Sequence, residues 1–281
     1  MQTTASPSRS SLIREIVQSH HDIDLQFPPW ARRTHPIVRR HLGRYWRVMT
    51  PQVEPVMQWY LIQSAIVLLT YPVPFLFTII LPVVIVSVGL LPFAFYYYAQ
   101  TLYALASDAT QSMVREIEGS TLNLLLATPY TTREVLLSKL AGAMWRQSEP
   151  LSLLLSAISM TQMPTLVLIY LNQLPSEEYG ILSQVVTIMA FGVAIARIPL
   201  EMAMTAAISS YVGVTTRGRS AAVITTLTLL IFYFVLINLP RMMPLGIVGH
   251  IIVDGVLPLA IPFGIISLML TMTERAIRRL T

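Results

Sequence analysis

The sequence predicts an all-α integral membrane protein of about six transmembrane helices, with an amphipathic cytoplasmic helix before the first and a cytoplasmic elbow between the second and third. Three observations carry this. Hydrophobic residues fill 54% of the 281 positions and charged residues 12%, about half the charged share of an ordinary soluble domain. No Asp, Glu, Lys or Arg occurs between positions 55 and 107, which is length enough for two helices of about 20 apolar residues each. With both termini placed in the cytoplasm, all but two of the 19 Lys and Arg fall on that side or in its loops, the bias that sets membrane orientation.

In order along the chain, positions 1–56 read as a cytoplasmic N-terminal region and 57–281 as a six-span membrane domain. Pro36 offers a helix start. On the helix expected over 37–49, Ile37, Val38, Leu42, Tyr45, Trp46 and Met49 share one half, and Arg39, Arg40, Arg44 and Arg47 the other. That pattern suits a helix lying in the membrane interface with its arginines toward anionic head groups, in preference to one packed on a soluble partner. The spans are expected at 59–80, 83–107, 150–171, 181–204, 221–239 and 246–272. Pro72, Pro74, Pro82 and Pro92 each offer a break or kink around the first turn. Gly255, Pro258 and Pro262 interrupt the last apolar stretch, whose first part reads as a short re-entrant or external segment carrying Asp254.

Orientation follows from charge. The N-terminal arginines, Arg115, Arg133, Lys139, Arg146, Arg217, Arg219, Arg275, Arg278 and Arg279 lie on the cytoplasmic side, whereas the loop 172–180 carries Glu177 and Glu178. Arg241 alone falls outside, and Arg197 falls within a span. The net charge of +5 is therefore a topology signal, and no nucleic-acid partner is expected. The absence of cysteine removes disulfides and thiolate metal sites and leaves the compartment open. No signal peptide is read at the start of the chain.

Catalytic chemistry is not expected. Lys139, the only lysine, lies between Ser138 and Leu140 with no glycine-rich loop before it, so the chain lacks a phosphate-binding loop. His20, His21, Asp22 and Asp24 read as a solvated polar cluster rather than a metal site, and the lone His250 likewise. No cofactor is expected on this chain. Within the membrane, Arg197 and Glu201 stand four apart on one helix face and form a pair, marking either a pathway or a structural lock. Tyr96, Tyr97, Tyr98 and Tyr103 read as aromatic packing or lipid contact ahead of a substrate route.

The most specific segment lies within the cytoplasmic stretch 108–148. It runs REIEGSTLNLLLATPYTTREVLLSK from Arg115 to Lys139. Pro129 disfavours helix at the residue before it and closes a first short helix. Thr131 and Glu134 then form a capping box that opens a second. The expected product is a rigid elbow leading into the third span.

This segment resembles the signature of type-2 ATP-binding-cassette transporter permeases, in which two acids precede a Gly-Thr-Leu, a leucine run, Ala-Thr-Pro, and a distal Glu and Lys. Glu116, Glu118, Thr121, Leu122, Leu124 to Pro129, Thr131, Glu134, Ser138 and Lys139 match it. Ser120 stands where glycine is usual, with Gly119 one place early, and Asn123 replaces an acid. The resemblance implies a permease of the cytoplasmic membrane that pairs with a second copy or a related chain. It also implies a separate nucleotide-binding ATPase subunit, with ATP and Mg held there. Arg115, Glu116, Glu118, Thr121, Pro129, Thr131, Glu134 and Lys139 would couple that subunit to the spans. The alternative is a structural or assembly subunit of a larger membrane complex. A secondary transporter ranks third, since no inverted repeat is visible.

Overall fold

The computed structural model describes residues 24–43, 53–216, 218–240 and 245–279. Helix makes up 88% of it, and no strand occurs among the described residues. The helices longer than four residues are α1 Pro36–Leu42, α2 Glu54–Leu69, α3 Phe75–Glu118, α4 Thr121–Leu126, α5 Thr132–Arg146, α6 Ser148–Gln173, α7 Ile181–Thr215, α8 Arg219–Asn238 and α9 Ile247–Arg278. Four of these, α3, α7, α8 and α9, are long and apolar enough to cross a membrane. The chain is a multi-pass, all-α membrane protein.

The first break differs from the expected one. Helix α2 stops at Leu69 and α3 starts at Phe75, so the turn falls at Tyr71-Pro72-Val73-Pro74 rather than near Pro82. Two prolines separated by one residue remove two donors and push the residues before them out of helical geometry. Pro82 and Pro92 lie inside α3. Each isolated proline there removes one backbone bond, a loss that a transmembrane helix tolerates. With 16 residues, α2 rises only about 24 Å, short of the roughly 30 Å hydrocarbon core.

Helix α7 is the centre of the assembly, packed against α2, α3, α5, α6, α8 and α9. Its sequence explains why. Ala190, Ala206, Ala207, Ser209, Ser210 and Gly213 line its buried face, and small residues let apolar helices approach closely in lipid. At Gly213 a Cβ would sit 2.9 Å from Met113 Cβ and 3.2 Å from the Thr110 carbonyl of α3. The hydroxyls on α7 satisfy themselves within the helix: Thr205, Ser209 and Ser210 donate to the carbonyls four residues earlier at 2.7–2.8 Å.

The last apolar stretch is continuous helix rather than a re-entrant turn. It includes a π-helical segment at Ile251–Val256, one wide turn of the kind found inside α-helices. Pro258 then sits at the start of the α-helical run that follows, where its missing N–H costs least.

In α1, the three described residues of the expected apolar face, Ile37, Val38 and Leu42, pack against protein. Val38 and Leu42 pack with Ala31 against Ala141 and Trp145 of α5, and Ile37 packs with Leu125 and Val135. The elbow presents an apolar groove that buries this face more completely than a headgroup layer would. Arg39 and Arg40 remain exposed on the other side. Arg44, Tyr45, Trp46, Arg47 and Met49 lie outside the described residues, as do His20, His21, Asp22, Arg217 and Arg241.

Candidate functional site

Two places gather the candidate residues: the elbow between α3 and α6 and a cavity within the helix bundle.

The elbow begins where α3 ends. Gly119 has ordinary backbone angles, and Ser120 takes the left-handed conformation at φ 52°. Helix α4 then buries Leu122 and Leu125 while leaving Leu124 68% exposed. After the break, the expected capping box is present: Glu134 N–H donates to Thr131 Oγ1 at 3.2 Å, and Thr131 N–H donates to Glu134 Oε2 at 2.9 Å. The Thr131 N–H, and the Thr131 hydroxyl, which also donates to Glu134 Oε2 at 3.0 Å, lower the Glu134 pKa. Helix α5 drives Val135, Leu136, Leu140 and Ala143 into the protein and passes into α6 through Gln147.

Ion pairs tie the elbow shut. Glu116 is turned inward onto Lys139, whose side chain is 6% exposed. Burial and the like charge of Arg40 pull the Lys139 ammonium down to about 7, against Glu116, which favours the charged form. Glu118 reaches Arg219 at the start of α8 at 2.7 Å, and both side chains are half-exposed. Arg146 binds Asp108 at 2.6 Å and also donates to the His41 carbonyl, joining α5 to α3 and α1. Arg115, Pro129, Thr131 and Glu134 are exposed, and Thr121 is half-buried. Of the residues singled out on the sequence, Glu116 and Lys139 are thus internal partners, whereas the others face outward or shape the turns. Asp108, Arg219 and His41 were not legible as participants. The only hint was that Asp108 is the first charge after the uncharged stretch.

Inside the bundle, Arg197 and Glu201 form the pair that their spacing predicts. Glu201 is 2% exposed. Its Oε1 accepts from Arg197 Nε and from the Tyr233 hydroxyl at 2.8 Å, and its Oε2 accepts from the Tyr98 hydroxyl. The guanidinium lies 6.0 Å from the Phe234 ring centre, within cation–π range. Three donors satisfy the carboxylate, which offsets the cost of an ion in hydrocarbon.

This cluster lines a cavity of about 670 Å³ enclosed by α3, α6, α7, α8 and α9. At its other end stand Asp254 and His250, whose Nδ1 lies 3.1 Å from Asp254 Oδ2. The His250 ring meets Tyr170 edge-on at 5.9 Å. Of the four tyrosines noted on α3, Tyr98 enters the cavity, Tyr97 packs on the core, and Tyr96 and Tyr103 are exposed. Asp24, the one described member of the N-terminal polar cluster, is engaged by Arg33 at 2.9 Å. The cavity is shaped for an apolar body with polar groups at two ends.

Comparison with models of known families, with curated proteins and with solved structures returns no match to this chain.

Proposed function

We propose that this chain is the membrane-spanning permease subunit of an ATP-driven exporter, a six-span domain with both termini in the cytoplasm that works with a separate nucleotide-binding subunit. In this reading α2 and α6 supply the two crossings beyond the four long apolar helices. The pair Arg197–Glu201 locks the central helix, and the cavity beside it receives the exported molecule. A second copy or a related chain completes the assembly.

The observation that carries the reading is the elbow. A short helix, a break and a capped helix are bolted to α3 by Glu116–Lys139 and Asp108–Arg146, and the end of α3 is tied to α8 by Glu118–Arg219. Its outer surface presents Leu124 at 68% exposure, with Asn123, Pro129, Arg133 and Glu134 also exposed. An exposed leucine rimmed by polar groups is the anatomy of a protein contact. A push on that surface reaches α3 through ion pairs rather than through flexible chain, and passes from the end of α3 to α8.

The test is a pull-down in mild detergent followed by ATPase measurement. A nucleotide-binding subunit should copurify, and Leu124→Asp should weaken its binding while leaving the membrane domain folded. Glu118→Arg should uncouple ATP turnover from transport. Absence of any ATPase partner favours the structural-subunit alternative. Single cysteines placed in this cysteine-free chain report topology, and labelling of position 178 only from the cytoplasmic side would reverse the orientation.

A further inference from the structure

Beneath α1 lies a second, smaller cavity of about 290 Å³, walled by α1, the cytoplasmic end of α3, α4 and α5. Its lining is charged: Arg40, Arg115, Lys139 and Arg146 against Asp108 and Glu116. Lys139 is spoken for by Glu116, and Arg146 by Asp108. The surplus is therefore carried by Arg40 and Arg115, both exposed at the mouth. Arg115 also holds the Gln111 side-chain oxygen at 3.2 Å.

Inside, two buried nitrogens have no hydrogen-bond partner: Arg146 Nε and His41 Nε2. The first is always a donor. His41 Nδ1 lies 3.3 Å from Ser112 Oγ, which leaves Nε2 as the ring atom open to another group. A buried donor without an acceptor costs about 1–3 kcal/mol, so the arrangement is incomplete at Arg146 Nε as it stands. Asp108 Oδ2 has no hydrogen-bond partner either, and it sets the acceptor side of the same wall.

We propose that this cavity binds a phosphate group, held by Arg40 and Arg115 at the mouth with Arg146 Nε and His41 Nε2 within. Guanidinium forks fit phosphate oxygens in paired bonds. The local field agrees. His41 is pulled down to about 4 by burial and by Arg146 and Lys139, with Asp108 opposing, and Lys139 is pulled down by burial and Arg40. An anion between these groups relieves both. The site does not depend on the exporter reading, since none of its residues needs a protein partner.

Two sources supply the same chemistry: the unneutralised phosphate of an anionic phospholipid headgroup, or phosphate in solution. The experiment follows thermal unfolding of the full chain in three settings at fixed ionic strength. These are phospholipid-free detergent with inorganic phosphate replacing chloride, nanodiscs of phosphatidylcholine, and nanodiscs of phosphatidylcholine with phosphatidylglycerol. A rise in Tm with inorganic phosphate assigns the free anion, and a rise only with phosphatidylglycerol assigns the headgroup. In either case Arg40→Gln and Arg115→Gln, both at exposed positions, should weaken the apparent affinity about tenfold each. Arg133→Gln, which changes an exposed arginine outside the cavity, should leave it unchanged. No rise with either probe overturns the proposal. So does an equal loss in the Arg133 variant, because the effect would then be diffuse charge.

Discussion

Ser120, and not its neighbour Gly119, carries the left-handed turn between α3 and α4: φ is 52° at the serine and −84° at the glycine. The position where the resembling family usually has glycine is thus the one whose backbone asks for it. An L-residue in this region bears a cost of roughly 1–2 kcal/mol, partly offset because glycine loses more entropy on folding. Ser120→Gly should therefore stabilise the elbow by about 0.5–1 kcal/mol, seen as slower amide exchange at Leu122 and Leu125. Faster exchange would mean that the serine side chain holds the turn.

Removing either member of the intramembrane pair should cost more than its share. Glu201→Ala strands Arg197 and two tyrosine hydroxyls, whereas Arg197→Ala leaves Glu201 with the donors from Tyr98 and Tyr233. The glutamate variant should be the more damaging, with an unpaired charge costing roughly 2.5–3.5 kcal/mol on insertion scales. The double variant should lose less than the sum of the two. Expression level and melting of the three proteins check this, and strictly additive losses would show that the pair does not interact.

Thr131→Ala removes one half of the capping box and should cost about 1 kcal/mol. Overall helicity should hold, since the rest of α5 is buried. Glu134, whose pKa is held down first by the residue 131 N–H and then by the Thr131 hydroxyl, should titrate at slightly higher pH in the variant, which keeps the N–H and loses the hydroxyl. An unchanged Glu134 titration, followed by NMR, would show that the cap does not persist in solution.

His41 should make the docking of α1 sensitive to acid. Its folded pKa, about 4, lies below the ordinary 6.5, so between those values the undocked chain binds a proton that the docked one resists. Docking is then at full strength above pH 6.5 and weakens as pH falls toward 4, by about 3 kcal/mol at most. Lys139, lowered from 10.5 to about 7, adds stability in the same sense as pH rises across that higher window. Trp145, whose indole donates to the Ala31 carbonyl at 2.7 Å, reports the contact by fluorescence. His41→Gln should abolish the lower transition. Gly142→Ala should loosen α1 at every pH, since its Cβ would lie 2.9 Å from His41 Cδ2.

What the sequence determined by itself was whatever depends on local pattern. The apolar stretches dictated helices, Pro129 with Thr131 and Glu134 dictated the elbow, and a spacing of four dictated that Arg197 faces Glu201. These are effects of neighbours within one helix or one turn, and they need no partner element. Tertiary structure decided the rest. Four prolines looked equivalent until packing kept Pro82 and Pro92 in one helix and left the turn to Pro72 and Pro74. The apolar face of α1 found a groove on α5 that its own periodicity does not reveal. Glu116 and Glu118 sit two apart, yet one turns inward to Lys139 and the other across to Arg219. Likewise Tyr98 and Tyr233 reach Glu201 from 103 and 32 residues away. A long-range contact is chosen by which faces remain to be buried once all the helices are present, and no local rule carries that information.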